Sequence, residues 1–318
     1  IYQFVIYKMI IFDTSRQIKE LMQEFINLQK ECLAQINAMP SDGCACSINH
    51  YCQQHGCNKG DCSECLHHIQ RGCPSFHYCC ERITYCYVLR FFNRFASEIT
   101  HFINRYNFSR ITSLNVVSLG CGPGSELYGI IKSLRSRQYR TQINYKGYDM
   151  NNIWRPIQEM SKRHLSALGY NIEFHTTDIF RDFEGFNNEG ITILVLNYVL
   201  SDVVKYKTAE ERQHFADCLT DFIIANKINF IFFNDINFYG DVSINSGVQL
   251  MKLVIQNLRL REKTVHDKYF YFNGDPYRGN ENWRMYESNY NLLPVLQGNN
   301  YMRNVETCGS KQIFVKIQ

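Results

Sequence analysis

From residue 113 onward the chain alternates short β-branched apolar runs with longer segments whose apolar positions recur every three to four residues. The runs predict strands near 116–119, 143–149, 171–178, 191–199, 229–235, 268–273 and 312–317; the periodic segments predict helices near 125–137, 153–168, 208–226 and 245–259. Such alternation implies an α/β fold, with a parallel sheet covered on both faces. Upstream, apolar residues at Ile18, Leu21, Met22, Phe25, Ile26, Leu28 and Leu33 predict a helix over 14–38, with Thr14 or Ser15 as its cap and Met39-Pro40-Ser41-Asp42-Gly43 as its end. Phe76 to Tyr106 predicts a second long helix, rich in aromatics. Arg82, Arg90 and Arg94 fall on one side of it at 100° per residue, a pattern that fits a solvated face better than a nucleic-acid surface. Gly274 to Thr307 is polar, Asn/Tyr-rich and longer than a hairpin needs, which makes it a candidate substrate lid or recognition loop.

The first strand of the alternating region runs into NVVSLGCGPGSE, residues 115–126, with glycines at 120, 122 and 124. Glycines let the chain turn tightly and let a ligand approach, and the helix that follows offers unpaired N–H groups. The spacing is GxGxG. Ser125 stands where a dinucleotide-binding GxGxxG loop needs its last glycine, and Pro123 removes an N–H that a pyrophosphate cradle would use.

LGCGPGSE resembles the first motif of class I S-adenosylmethionine (SAM)-dependent methyltransferases, and the later motifs follow in that family's order over residues 113–318. The resemblance implies a seven-stranded Rossmann-like methyltransferase sheet whose last two strands form a reversed pair at the edge. It implies that Gly120, Cys121, Gly122 and Gly124 form the cofactor loop, that Asp149 of INYKGYDM holds the ribose hydroxyls with Met150 beside it, and that Asp178 and Ile179 flank the adenine. Asn197, Tyr198 and Asp202 of ITILVLNYVLSD fall at the substrate end of the fourth strand. There Asn197 can orient an amine or hydroxyl and Asp202 can take its proton; as an Asp, Asp202 equally suits a helix cap. Asn234 and Asp235 follow the fifth strand. The sequence NYVL lacks the prolines of the (D/N)PP(Y/F) amino-methylating enzymes, and no cysteine stands where a cytosine C5 enzyme has its nucleophile. Cys121 contributes its backbone to the loop, and Cys218 reads as a core residue of a helix.

Composition adds one anomaly. The chain has 318 residues, 45% hydrophobic, with a net charge of +4, enough for a large domain and a smaller one; the charge permits nucleic-acid contact without requiring it. Apolar runs are too short to span a membrane, and the apolar opening, in which Met9 suits a natural start, lacks a secretory leader's basic flank and cleavage site; a soluble cytoplasmic protein is expected. Of 14 cysteines, ten crowd one segment: Cys44, Cys46, Cys52, Cys57, Cys62, Cys65, Cys73, Cys79, Cys80 and Cys86. Beside a cofactor domain with no secretion signal, metal ligation explains them better than disulfides. Zinc fits, with the Cys62/Cys65 pair as two ligands from one tight turn, and an iron–sulfur cluster uses the same thiolates.

The chain thus divides into an N-terminal helix (1–43), a cysteine-rich, metal-binding and helical module (44–112) and a methyltransferase domain (113–318). The expected activity is methyl transfer from SAM to a nitrogen or oxygen, with RNA or a ribonucleoprotein as the first acceptor to consider. A small-molecule acceptor and a non-catalytic, SAM-binding assembly factor are the alternatives.

Overall fold

Successive residues of a strand point to opposite faces, and in this chain both sets are apolar, so the sheet must be covered on both sides. The computed structural model describes residues 2–39, 62–70, 78, 80–187, 189–236, 246–272, 282–298 and 305–318. Strands β1 (Ser113–Leu119), β2 (Gln142–Tyr148), β3 (Asn171–His175), β4 (Ile191–Asn197), β5 (Phe230–Ile236), β6 (Val265–Tyr271), β7 (Trp283–Met285) and β8 (Ser310–Ile317) form one eight-stranded sheet. Its order is β3-β2-β1-β4-β5-β8-β6-β7. Strands β1 to β5 are parallel, and β8 runs antiparallel to both of its neighbours, β5 and β6.

The eighth strand corrects the expected seven. β7 arises inside the polar stretch after Gly274 and pairs parallel with β6. It is three residues long, too short to show a period, and Trp283 holds it by packing on Tyr269 at 5.0 Å.

The helices among the described residues are α1 (Tyr2–Ala38), α2 (Cys62–Gln70), α3 (Glu81–Tyr87), α4 (Asn93–Ile103), α5 (Ser125–Ser136), α6 (Arg155–Ser166), α7 (Ile179–Asp182), α8 (Leu200–Tyr206), α9 (Ala209–Ala225) and α10 (Gly247–Leu260). Val116, Ile193, Val195, Phe232 and Phe314 join one apolar cluster with α1 and α3 to α6, while Val117, Leu194, Leu196, Ile231 and Phe233 join another with α9 and α10. Strand alternation therefore sorts neighbouring residues into two separate cores.

Helix α1 begins at Tyr2, well before the expected residue 14, because the upstream stretch contains no glycine or proline to stop it. Leu21, Phe25, Leu28, Cys32 and Ile36 form its buried stripe, and His164 of α6 bridges Glu24 and Glu31 on its flank. Among the described residues no helix is long and apolar enough to cross a membrane.

The second long helix starts at Glu81 rather than 76, since Cys80 is extended, and it carries a π turn at Val88–Phe92 between α3 and α4. A π turn inserts an extra residue, so each step rotates by less than 100° and positions beyond it leave the side that a regular helix assigns them. Arg94 points inward to Glu98, with only 18% of its side chain exposed, and Arg82 and Arg90 are half-buried, so the expected solvated face does not form. Helix α4 also lies unusually close to α5: a Cβ added at Gly129 would stand 2.3 Å from the Ala96 carbonyl oxygen.

Candidate active site

In an open α/β sheet, ligands bind beyond the carboxyl ends of the parallel strands, where the strand order reverses. Here the reversal lies between β1 and β4. Leu119, Tyr148, His175, Asn197 and Ile236 end their strands along that one edge.

The loop from β1 to α5 is shaped by its glycines and held by β2. Gly120 and Gly122 have φ of 59° and 49°, in the left-handed region that other residues avoid. A Cβ at Gly120 would meet Val199 at 2.5 Å. The Cys121 N–H donates to the Tyr148 carbonyl at 3.1 Å, and the Gly122 N–H donates to Asp149 Oδ2 at 2.8 Å. Gln158 of α6 closes the other side, its Nε2 donating to the Gly122 carbonyl at 2.8 Å. The Cys121 thiol is buried, and burial holds it in the protonated form, so this residue serves through its backbone.

Asp149 also accepts from the Asn151 N–H through Oδ1 at 2.8 Å. Burial raises its pKa, the nearby Asp202 charge adds to the rise, and the two backbone donors oppose it. Beside it Met150 is 77% exposed, a large apolar surface at the mouth of the crevice. Asp178 lies past the end of β3, where it caps α7 by accepting from the Phe180 N–H at 3.0 Å; Ile179 is buried in the core beneath α9. Gly120, Cys121, Gly122 and Asp149 are thus brought together by hydrogen bonds, whereas the Asp178 carboxylate serves as a cap and Ile179 faces inward.

At the end of β4, Asn197 donates to Ser125 Oγ at 3.2 Å and accepts from Asn234 Nδ2 at 2.8 Å. Tyr198 has φ of 60°, a strained conformation for an aromatic residue. Its hydroxyl donates to Glu98 Oε2 at 2.8 Å and its ring packs on Phe95 at 3.9 Å, which together fix the turn. Asp202 sits in the first turn of α8, 44% exposed, and accepts from Lys205 at 3.0 Å; the helix cap is Val199. Asn234 is fully buried, donating to Glu98 and Asn197 and accepting from Ser310 and Gln312, so its polar capacity is spent inside the protein. Asp235 is buried too, accepting from the Ser201 and Ile236 N–H groups at 2.8 and 2.7 Å.

Burial raises the Asp235 pKa to about 6. A carboxyl that binds its proton more tightly folded than unfolded stabilises the protein at low pH and loses that contribution as pH rises through the folded value. A rise of that size corresponds to about 3 kcal/mol. The unfolding free energy, measured by urea titration, is therefore expected to contain a component that declines between roughly pH 4 and pH 7 and is missing in Asp235→Asn. An identical pH slope in the variant would disprove the assignment.

The opposite wall of the crevice comes from the helical region before the sheet. Tyr78 accepts from Asn151 Nδ2 through its carbonyl at 2.7 Å and sets its ring 5.0 Å from Trp154, whose indole covers Gly122. Tyr87, Phe91 and Phe95 continue the row at 5.2 to 5.7 Å from ring to ring, as far as Tyr198. No motif pointed to Tyr78, Tyr87, Phe91, Phe95 or Trp154 as site residues. Their one signal was the four-residue spacing of Tyr87, Phe91 and Phe95 along one helical face.

Of the ten clustered cysteines, Cys44, Cys46, Cys52, Cys57, Cys73 and Cys79 lie outside the described residues. Cys62 and Cys65 are buried on α2, one helical turn apart rather than in a tight turn, and Cys86 is buried in the apolar cluster around α3. Among the described residues no group of three or more His, Cys, Asp or Glu is placed to hold a metal ion. Cys218, expected in a core, is half-buried on α9 with His214 3.6 Å away.

No family model and no curated protein matches the chain. Solved structures do. The chain is similar to magnesium protoporphyrin IX methyltransferase of Synechocystis PCC 6803 with bound SAM, at 9% identity and a TM-score of 0.40 over 86% of this chain and 92% of that one. It is similar to a protein of Listeria monocytogenes described as a class I SAM-dependent methyltransferase, at 9% identity and 0.43 over 95% and 88%. It is also similar to StiE O-MT residues 942–1257, at 18% identity and 0.35 over 52% of this chain, and spans about half (50%) of that chain.

Proposed function

We propose that this chain transfers a methyl group from SAM to a nitrogen or oxygen nucleophile. The observation that carries the reading is the hydrogen bond from the Gly122 N–H to Asp149, which joins the carboxyl ends of β1 and β2 beside the point where the strand order reverses. It joins the two sequence motifs of the resemblance into one crevice wall. The donor set fits the cofactor. Each Asp149 oxygen takes one backbone N–H and keeps lone-pair capacity for a ribose hydroxyl, and the exposed Met150 thioether is free to lie against the adenine. Gly120, Cys121, Gly122 and Gly124 would hold the amino-acid portion, with Asp178 on the adenine side and Asn197 and Tyr198 at the reacting end.

When bound, SAM supplies an electrophilic methyl group on a sulfonium, so that the acceptor's lone pair forms the new bond while the carbon–sulfur electron pair stays on sulfur. The protein's own task is alignment and exclusion of water. Tyr198, fixed by Glu98 and Phe95, sets the position of the neighbouring Asn197, and Asp202 takes the proton that the acceptor gives up. Before the sheet, the crowding of ten cysteines into residues 44–86 supports a zinc module, with an iron–sulfur cluster as the second reading.

Native mass spectrometry with elemental analysis tests both parts on the full chain. One SAM per chain and bound zinc are expected. A chain that takes up no SAM would overturn the methyltransferase reading in favour of a non-catalytic factor, and iron with inorganic sulfide would replace zinc by a cluster.

A further inference from the structure

Positive charge is gathered on one patch of the surface, toward the amino ends of the strands and away from the crevice. Lys268 of β6 stands opposite Phe314 in the register with β8, Lys316 follows two residues later, and Arg284 of β7 stands opposite Phe270. Side chains two apart on a strand share a face. These three cations therefore lie on the side of the sheet where Phe270 and Phe314 pack against Phe102 of α4. The turn after α4 completes the patch. Tyr106 stacks on Phe314 at 3.8 Å, and the Lys268 ammonium lies 5.8 Å from the Tyr106 ring. Arg137 donates to the Asn104 and Tyr106 carbonyls at 3.0 and 2.6 Å, and Arg105 lies 5.0 Å from the Tyr286 ring. Arg105, Arg137, Lys268 and Arg284 are exposed, and Lys316 is half-buried.

Among the described residues none of these five cations forms an ion pair with a carboxylate. Asp267, next to Lys268 in sequence, points to the other side of the sheet and pairs with Arg259 at 2.6 Å. Five cations exceed the chain's net charge of +4, so the remainder of the protein has no positive excess. Uncompensated charge of one sign concentrates partners of the opposite sign. Neighbouring strands lie about 4.8 Å apart, so Lys316 on β8 and Arg284 on β7 are separated by roughly 10 Å or more, too far for one phosphate group to bridge and suited to a chain of them. Large exposed apolar side chains lie elsewhere, Met285 among them on the opposite face, so nothing in the patch inserts into a lipid surface. At the edge of the sheet Lys268 and Arg284 also line a cavity of about 790 Å3 with Lys252, Arg259 and Asp267, a volume that admits an unpaired nucleotide beside the charged row. Independently of the methyl-transfer reading, we infer that this face binds single-stranded nucleic acid, with Arg105, Arg137, Lys268, Arg284 and Lys316 taking backbone phosphates without reading the bases. The strand is docked there rather than presented for reaction, because the crevice opens at the other end of the sheet.

Fluorescence anisotropy of a labelled single-stranded RNA of about 20 nucleotides, titrated with the full chain between about 50 and about 200 mM salt, tests the assignment. Affinity is expected to fall with salt, with a slope of about −2 to −3.5 on logarithmic axes, as three to five phosphate contacts on a single strand require. Arg105→Gln, Lys268→Gln and Arg284→Gln combined are expected to weaken binding at least about tenfold at the lower salt and to flatten the slope by about 2. Lys19→Gln, Lys162→Gln and Lys207→Gln combined remove the same charge from exposed positions elsewhere and are expected to cost less than about threefold. In both variants SAM affinity should stay within about a factor of two, since neither set touches the crevice. Equal losses in the two variants would overturn the patch as the binding site, and tighter binding of a duplex of the same length would overturn the single-strand assignment. Capture only by vesicles containing phosphatidylserine, or no binding of the RNA or of the matching DNA, would overturn the inference as a whole. Each of these results leaves methyl transfer to be decided by the SAM titration alone.

Discussion

Asp149→Asn is expected to lower the affinity for SAM by about 100-fold, read by calorimetry on folded protein. Two hydrogen bonds from a ribose diol to a carboxylate contribute roughly 1.5–3 kcal/mol each, and the amide keeps at most one of them in neutral form. The structure adds a cost that the motif alone does not reveal. Both carboxylate oxygens already accept backbone N–H groups, from Gly122 and from Asn151. An amide NH2 must therefore face one of those donors, which costs about 1–3 kcal/mol and loosens the glycine loop. The variant should remain folded but unfold at a lower urea concentration, and the loss of affinity should exceed the loss of stability. Unchanged affinity would remove Asp149 from the ribose site and, with it, the link between the β2 end and the cofactor.

Much of this arrangement was legible in the sequence because it is local. The GxGxG loop, the strand before it and the helix after it are neighbours along the chain, and their residue types leave few conformations. The acidic residue after β2 is one strand away and follows from the alternation of elements. What escaped detection was set by contacts between distant segments. Trp154 covers Gly122 and packs at a tilt against Tyr78, which comes from far upstream, a relation that no spacing encodes. Asn234 suggested a substrate-facing amide at the end of β5, yet its four partners come from α4, β4 and β8 and turn it into an internal strut. Arg94 looked like a surface charge because a regular helix was assumed, and a single π turn rotated it inward. β7 was missed because three residues are too few to carry a period. Local chemistry thus gave the loop and the order of elements, while the wall of the crevice depended on how the N-terminal helices dock.

The buried strut beneath that wall carries the other large effect. Glu98 on α4 is fully buried and accepts four hydrogen bonds: Arg94 Nε and the Gly309 N–H on Oε1, each at 2.9 Å, and the Tyr198 hydroxyl and Asn234 Nδ2 on Oε2, at 2.8 and 3.0 Å. It ties together the helix layer, the ends of β4 and β5, and the start of β8. Glu98→Ala would leave the Arg94 charge buried without a partner and the Tyr198 and Asn234 donors unmet, a loss of about 3–5 kcal/mol. For a domain with roughly 5–15 kcal/mol of stability this is a third or more of the total. The cost comes from the uncompensated charge rather than from any intrinsic strength of the pair, so Arg94→Met combined with Glu98→Leu should be more stable than Glu98→Ala alone. Urea titrations of the three proteins separate the two accounts, since a double variant as unstable as the single one would mean that the carboxylate acts only as a hydrogen-bond acceptor. A second consequence follows at the crevice. Tyr198 holds a left-handed backbone that costs on the order of 1–3 kcal/mol, and its hydroxyl bond to Glu98 is one of the two contacts that keep it there. In the double variant, where folding is restored but that bond is gone, the turn at Tyr198 should relax, read as faster amide hydrogen exchange at residues 197–199 than in the wild type; unchanged exchange there would mean that the ring contact with Phe95 alone holds the turn.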